Sequence, residues 1–270
     1  MSLNGGLRGR WALVLGASSG FGAATALALA RAGMNIFGVH LDLKATLPKA
    51  KQVIADIEAL GRQAVFFNTN AADERKRKRV LDKIEGVLAE DGQRQIWVML
   101  HSLAFGTLLP FIADDVEGQV SQAQMEMTLN VMANSLVYWA QDLHHRDLLG
   151  RGSRIFAMTS TGSHRAVLGY GAVSAAKAAL ESHTRQLALE LAPSGVLVNC
   201  ILAGVTDTPS MRKIPNSANI IAKAEHDNPY GRITTPGDVA DVIVALSSPR
   251  VRWVNGSVLF VDGGEAIVGL

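Results

Sequence analysis

A single cysteine, Cys200, stands among the 270 residues, which excludes an internal disulfide framework and any multi-cysteine metal site. It lies in the strand-like run GVLVNCILAG, so a packed thiol is expected rather than a nucleophile. Charge of one sign is also lacking. Twenty-six basic residues against 24 acidic ones leave a net +2, too balanced for a nucleic-acid or anionic-membrane surface. Apolar segments such as Ile96–Leu109 are broken by His, Ser and Gly and are too short to span a bilayer. The opening MSLNGGLRGR lacks the apolar stretch of a signal peptide, so a soluble, cytoplasmic protein is expected. His144, His145 and His164 have no carboxylate at ligand-like spacing, and no metal site is expected.

What is present is an alternation of short apolar runs with longer amphipathic ones. Strands are predicted at Trp11–Gly16, Asn35–Leu41, Ala64–Thr69, Ile96–Leu100, Arg154–Ser160, Gly195–Leu202 and Ser257–Gly264. Helices are predicted at Gly20–Gly33, Leu47–Leu60, 73–90, Ser121–His145, Tyr170–Ala192 and Asp238–Ser248. The basic run Glu74–Arg79 leads into the apolar stripe Val80, Ile84, Val87 and Leu88, so it reads as the solvated face of a helix. Strands alternating with helices predict an α/β fold, a seven-stranded parallel sheet covered on both faces. No polar linker or internal repeat divides the chain, so residues 1–270 are expected to form one domain. Thr206–Ile233, rich in Pro, Asn and Ser, is the expected excursion over a site.

The first strand–helix turn reads LGASSGFG, with Gly16, Gly20 and Gly22. Bare backbone followed by a helix N-terminus is what a dinucleotide pyrophosphate requires, although the spacing also suits a plain tight turn. No Lys-Ser/Thr follows, which argues against a P-loop. The second strand ends His40-Leu41-Asp42. Asp42 could read a ribose diol, whereas His40 and Lys44 could serve an extra phosphate, and the choice between NADH and NADPH stays open. The stretch YGAVSAAK places Tyr170 and Lys177 two helical turns apart, an arrangement open to catalysis or to plain packing.

Taken in order, the glycine loop Gly16–Gly22, Asn130, Ser160, the Tyr170/Lys177 pair, Val198–Gly204 and Phe260–Gly264 resemble the short-chain dehydrogenase/reductase family along nearly the whole chain. The resemblance implies a single Rossmann-type three-layer domain, a nicotinamide cofactor, and a homotetramer whose apolar C-terminus packs near another subunit. Most members place Tyr and Lys four positions apart, where this chain has Val173. The wider Tyr-x6-Lys spacing, His101–Ala104 and Leu202–Thr208 resemble the divergent enoyl-acyl-carrier-protein reductases. Where such enzymes carry a second tyrosine ten positions earlier, this chain has Ser160, the match for the serine of ordinary ketoreductases.

On that resemblance Tyr170 would hydrogen-bond the enolate oxygen, and Lys177 would bind the nicotinamide-ribose hydroxyls. Ser160 would assist the oxyanion and Asn130 would serve structure or proton relay. Ser18, Ser19 and Phe21 would line the pyrophosphate turn, with Asn70 at the adenine and Ser102 and Leu103 under the cofactor. Gly204, Thr206 and Thr208 would form the loop over it. The implied substrate is an enoyl thioester, with acyl-carrier protein as the implied partner. A 3-oxoacyl or other carbonyl substrate is the alternative, and a cofactor-binding sensor without turnover is the reading from a different class.

Overall fold

The computed structural model describes residues 6–268. Its strands are β1 Trp11–Leu15, β2 Asn35–His40, β3 Ala64–Asn68, β4 Ile96–His101, β5 Arg154–Thr159, β6 Leu197–Ala203 and β7 Val258–Val261. They pair in parallel in the order β3-β2-β1-β4-β5-β6-β7, the expected seven-stranded sheet. The chain winds outward from β1 to β3 and returns to lay β4 on the other side of β1. A crevice therefore opens between the carboxyl ends of β1 and β4, where connections leave in opposite directions.

The helices are α1 Gly20–Arg31, α2 Leu47–Ala59, α3 Glu74–Glu90, α4 Gln122–Leu129, α5 Ser135–His145, α6 Gly171–Leu191, α7 Ser217–Asp227 and α8 Pro236–Leu246. Alternation along the strands makes the two cores. Trp11, Leu13 and Leu15 of β1, with Ile155 and Ala157 of β5, face α3, α5 and α6. Ala12 and Val14, with Phe156 and Met158, face α1, α2 and α8. Three tryptophans bury their rings and still place their indole N–H groups. Trp11 donates to Asp91 (2.7 Å), Trp97 to the Ser247 carbonyl (2.9 Å) and Trp139 to the Ala71 carbonyl (2.9 Å).

Two expectations are modified. The single helix expected over Ser121–His145 is interrupted by one π-helical segment, Asn130–Asn134. Ser135 Oγ donates to the Val131 carbonyl at 2.8 Å, one of the local side-chain bonds that compete with regular helix pairing. The basic run opening α3 is not wholly solvated. Arg77 is buried, its Nε donating to Asp142 Oδ2 at 2.7 Å and its guanidinium lying 5.5 Å from the Tyr138 ring centre. Val80, Leu81, Ile84 and Leu88 form the buried stripe beside it.

Between β6 and α8 the chain makes its longest excursion, closed at the base by Thr234 N–H donating to the Val205 carbonyl (3.1 Å). It carries a short 3₁₀ turn, Met211–Lys213, and α7. Among the described residues no helix is long and apolar enough to cross a membrane.

The Arg77–Asp142 pair ties α3 to α5, so Asp142→Ala strands a buried guanidinium. We expect a loss of about 2–3 kcal/mol in urea unfolding, below the value for a fully buried pair because Asp142 keeps some solvent contact. Arg77→Met with Asp142→Leu should recover much of that loss.

Candidate active site

All the residues singled out after strand ends converge on the carboxyl edge of the sheet. At β1 the chain turns through Gly16 at φ +91°, and a Cβ there would overlap the Ser102 carbonyl oxygen at the end of β4. A Cβ on Gly22 would overlap the Gly16 carbonyl. These two glycines thus let β1, the start of α1 and the β4 exit approach backbone to backbone. Ser19 is the N-cap of α1 but makes no capping bond, and the first turn carries no acidic side chain. The positive end of the helix is therefore left without a built-in acceptor, a fit for the pyrophosphate of a dinucleotide. Ser18 and Phe21 flank it, Phe21 partly packed on the α1-side core.

The loop leaving β6 reaches the same turn. Thr208 is buried, and a Cβ on Gly20 would stand 3.6 Å from its methyl group. Thr208 Oγ1 accepts from Met211 N–H (3.1 Å), and Thr206 Oγ1 donates to the Gly204 carbonyl (2.9 Å). Gly204 is itself hemmed in by Thr234 and Glu265. Ser102 and Leu103 continue β4 under the crevice, with Ser102 N–H donating to the Leu15 carbonyl at 2.9 Å.

At the end of β2 the two polar residues are joined. Buried His40 places Nδ1 2.8 Å from Asp42 Oδ2. Burial opposes ionisation of Asp42, but hydrogen bonds from Thr46, Ser18 and His40 outweigh it and hold the carboxyl below its usual range. Asn68 clamps the Asp42 backbone from both sides, its amide accepting from Asp42 N–H (2.9 Å) and donating to the Asp42 carbonyl (3.0 Å). The carboxylate thus lies near Ser18 of the glycine turn, on a backbone held by Asn68. Asn70 lies two residues beyond β3, where its side chain accepts from Ala72 N–H (2.9 Å).

Tyr170 is the N-cap of α6, and Ser160 follows β5 directly. The two meet over Gly162, where a Cβ would lie 2.5 Å from Tyr170 Cε1 and 3.3 Å from Ser160 Oγ. Burial raises the Tyr170 pKa, and the Ser160 hydroxyl opposes that shift. Ser160 Oγ is nevertheless buried with no partner at full hydrogen-bond geometry, so the pair is adjacent but loosely joined. Ser174 Oγ donates to the Gly162 carbonyl, pinning this turn onto α6.

Val173, in the place a typical member gives to tyrosine, is buried. It packs towards Gly106, Thr128 and Met132, where it has no chemistry to offer. Lys177 is also buried, its Nζ donating to the Met158 carbonyl at 2.7 Å. Desolvation pulls its pKa down to about 8, against favourable fields from Cys200 and Glu181. Asn130 is half-buried at the first position of the π segment.

Gly162 and Glu181 carried no sequence signal for the site, and His101 entered only as part of the His101–Ala104 segment. Gly162 seats the phenol, yet it is one glycine in a serine-rich turn. His101 is fully buried with Nε2 2.8 Å from Ser135 Oγ and Nδ1 unpartnered. Burial, and then the Lys177 charge, press its pKa to about 3, so it is a neutral imidazole. Glu181 is buried one turn beyond Lys177, accepting from Thr159 Oγ1 at 2.7 Å. Cys200 is the packed thiol expected, 3.1 Å from Thr184 Oγ1, with burial pushing its pKa to about 11. Among the described residues no group of acidic, His or Cys side chains could hold a metal ion.

Comparisons with known proteins give the family and the fold. A family model described as enoyl-(acyl carrier protein) reductase matches residues 16–265. A cyclohexanol dehydrogenase from a Rhodococcus strain is 31% identical over 268 residues, covering 96% of each chain. A short-chain dehydrogenase from Burkholderia cenocepacia, solved in complex with NADP, is 27% identical with a TM-score of 0.81, covering 96% of this chain and 99% of that one. An enoyl-[acyl-carrier-protein] reductase (NADH) from Aquifex aeolicus covers 100% of both chains at a TM-score of 0.82 and 23% identity, a likeness of fold.

The Gly22 seat makes a direct test of the turn. Because a Cβ would overlap the Gly16 carbonyl, Gly22→Ala should weaken dinucleotide binding at least about tenfold, read by fluorescence titration. Gly86→Ala, in open space on α3, should bind normally and serve as the control.

Proposed function

The chain belongs to the short-chain dehydrogenase/reductase family of NAD(P)H-dependent oxidoreductases, and on that premise we propose that it reduces the conjugated C=C bond of an enoyl thioester, with NADH preferred. One observation carries the substrate class: the phenol at the site is Tyr170, one helical turn before buried Val173. Three residues of helix are about 4.5 Å of rise. In a carbonyl reduction, the atom that accepts hydride and the oxygen that gains charge are bonded neighbours. In a conjugate reduction the charge emerges on the thioester oxygen, two atoms further along. A proton donor set back along α6 suits the second arrangement.

When bound, a reduced nicotinamide supplies the hydride. The chain's own residues supply position and field. Tyr170 donates a hydrogen bond to the oxygen on which charge grows, so its effect is largest in the transition state. Its raised pKa keeps the phenol protonated near neutrality and able to donate. The Lys177 ammonium holds the field beside it positive and would hold the ribose hydroxyls. Ser160 offers a second hydroxyl at the same oxygen. Gly16–Gly22 and Thr208 would hold the pyrophosphate, and residues 206–233 would close over the acyl chain, with Met211 on their inner side.

The NADH preference rests on Asp42. Its carboxylate, held below its usual range and joined to His40, would accept from a ribose diol and repel a 2′-phosphate.

A second reading, reduction of a 3-oxoacyl thioester or another carbonyl, has its own support. Ser160 faces Tyr170 as a second donor for a carbonyl oxygen, and the curated relative reported above is named for an alcohol. By relatives' names alone, this reading is the better supported.

Purified protein with crotonyl and acetoacetyl thioesters, each with NADH and NADPH, separates the two. Crotonyl turnover is expected, falling by at least about 10²-fold in kcat for Tyr170→Phe while cofactor binding persists. Turnover of the acetoacetyl thioester alone would replace the enoyl reading with the second. Cofactor binding without turnover on either would leave a sensor. Asp42→Ser should raise kcat/KM with NADPH relative to NADH by about tenfold or more.

A further inference from the structure

The buried face of α6 carries a row of polar side chains, where a helix packed on a sheet normally presents apolar ones. Lys177, Glu181 and Thr184 follow one another at spacings of four and three, and all are buried. The last two residues of β5 take hold of this row. Met158 gives its carbonyl to Lys177 Nζ (2.7 Å), and Thr159 gives its hydroxyl to Glu181 Oε1 (2.7 Å). The next residue along the chain is Ser160, at the reacting centre.

Two charges buried on one helix face need an account. A lone ammonium beneath a helix costs several kcal/mol, and a carbonyl cannot neutralise it. The titratable groups facing Lys177 are Glu181 from its own helix, His101 from β4 and Cys200 from β6. His101 is neutral, and the Cys200 thiol stays protonated until far above neutrality. Arg185, a turn beyond Glu181, acts on Cys200 and brings positive charge to the far end of the row. Glu181 is therefore the carboxylate of this set, and its field favours the Lys177 ammonium. It does so one helical turn from Lys177, without closing into a direct ion pair. The ammonium is thus left free to turn from the Met158 carbonyl to a ligand.

We propose that Glu181, anchored by Thr159, is a positioning residue that keeps Lys177 charged and aimed into the nicotinamide crevice. It acts through Lys177 and touches neither substrate nor cofactor. The inference rests on Lys177 serving the cofactor, and is indifferent to which bond is reduced.

NADH binding across pH 6.5–9.5, followed by fluorescence without substrate, tests it apart from any activity. The protonated Lys177 is the binding form, so affinity falls as pH rises through its pKa. Removing the Glu181 charge destabilises the ammonium and lowers that pKa. Glu181→Gln, which keeps the shape and can still accept from Thr159, should move the midpoint down by about one pH unit. Affinity at pH 8 should then drop several-fold while binding at pH 6.5 is nearly preserved. Thr159→Val should move the midpoint the same way by less. In a Lys177→Arg background, where the cation does not titrate, Glu181→Gln should produce no shift.

An unchanged midpoint in Glu181→Gln, in protein whose thermal unfolding is normal, would overturn the proposal. So would a loss of affinity equal at every pH, which marks a merely structural carboxylate. If crotonyl turnover fails but the midpoint moves, the substrate reading falls and this inference stands.

Discussion

A lysine held between a helix and a sheet is stable only if something on the far side answers its charge. In this protein that requirement organises the site. Lys177 lies under α6 with its ammonium on the Met158 carbonyl. The same two strand residues that receive Lys177 and Glu181 lead straight into Ser160, and the helix that carries them begins at Tyr170. Binding the buried polar row therefore also sets the register between the end of β5 and the start of α6. The phenol and the serine hydroxyl meet over Gly162 because the helix beneath them is held in one place.

The other half of the crevice obeys a constraint of space instead of charge. Gly16, Gly22 and the Ser102 carbonyl come together at distances no side chain permits. That approach leaves the α1 N-terminus bare and lets Thr208 fold against Gly20. Further out, Asp42 stands at the end of β2 with its carboxylate on His40 and its backbone on Asn68. A close-packed backbone that would suit a phosphate, a carboxylate that would suit a diol, and a buried ammonium on the helix that begins at the phenol are laid along the edge where strands from both halves of the sheet end. A nicotinamide dinucleotide matches that sequence of chemistries.

Much of this was legible in the linear chain, for identifiable reasons. Runs such as WALVL and IWVML can be satisfied only in a sheet buried on both faces, and the glycine loop follows the first of them directly. Tyr170, Lys177 and Ser160 stood out because they occur in motif order. What escaped notice lacked a local signal. Arg77 belongs to a run of charges whose neighbours are solvated, and only α5 coming alongside with Asp142 makes it a buried partner. The π segment at Asn130–Asn134 has no composition of its own. Glu181 looks like one more acid on a helix until β5 places Thr159 against it.

The sequence by itself determined the order of strands and helices, the parallel sheet, the cofactor turn and the displacement of the phenol from position 173 to 170. These depend on periodicity and on residues close together in the chain. Tertiary structure decided what distant elements bring together: Arg77 set on Asp142, Lys177 on the Met158 carbonyl, Glu181 on Thr159, and Val173 withdrawn into the core. Burial and low local dielectric exist only once the helix is packed on the sheet, and they turn ordinary polar residues into a site.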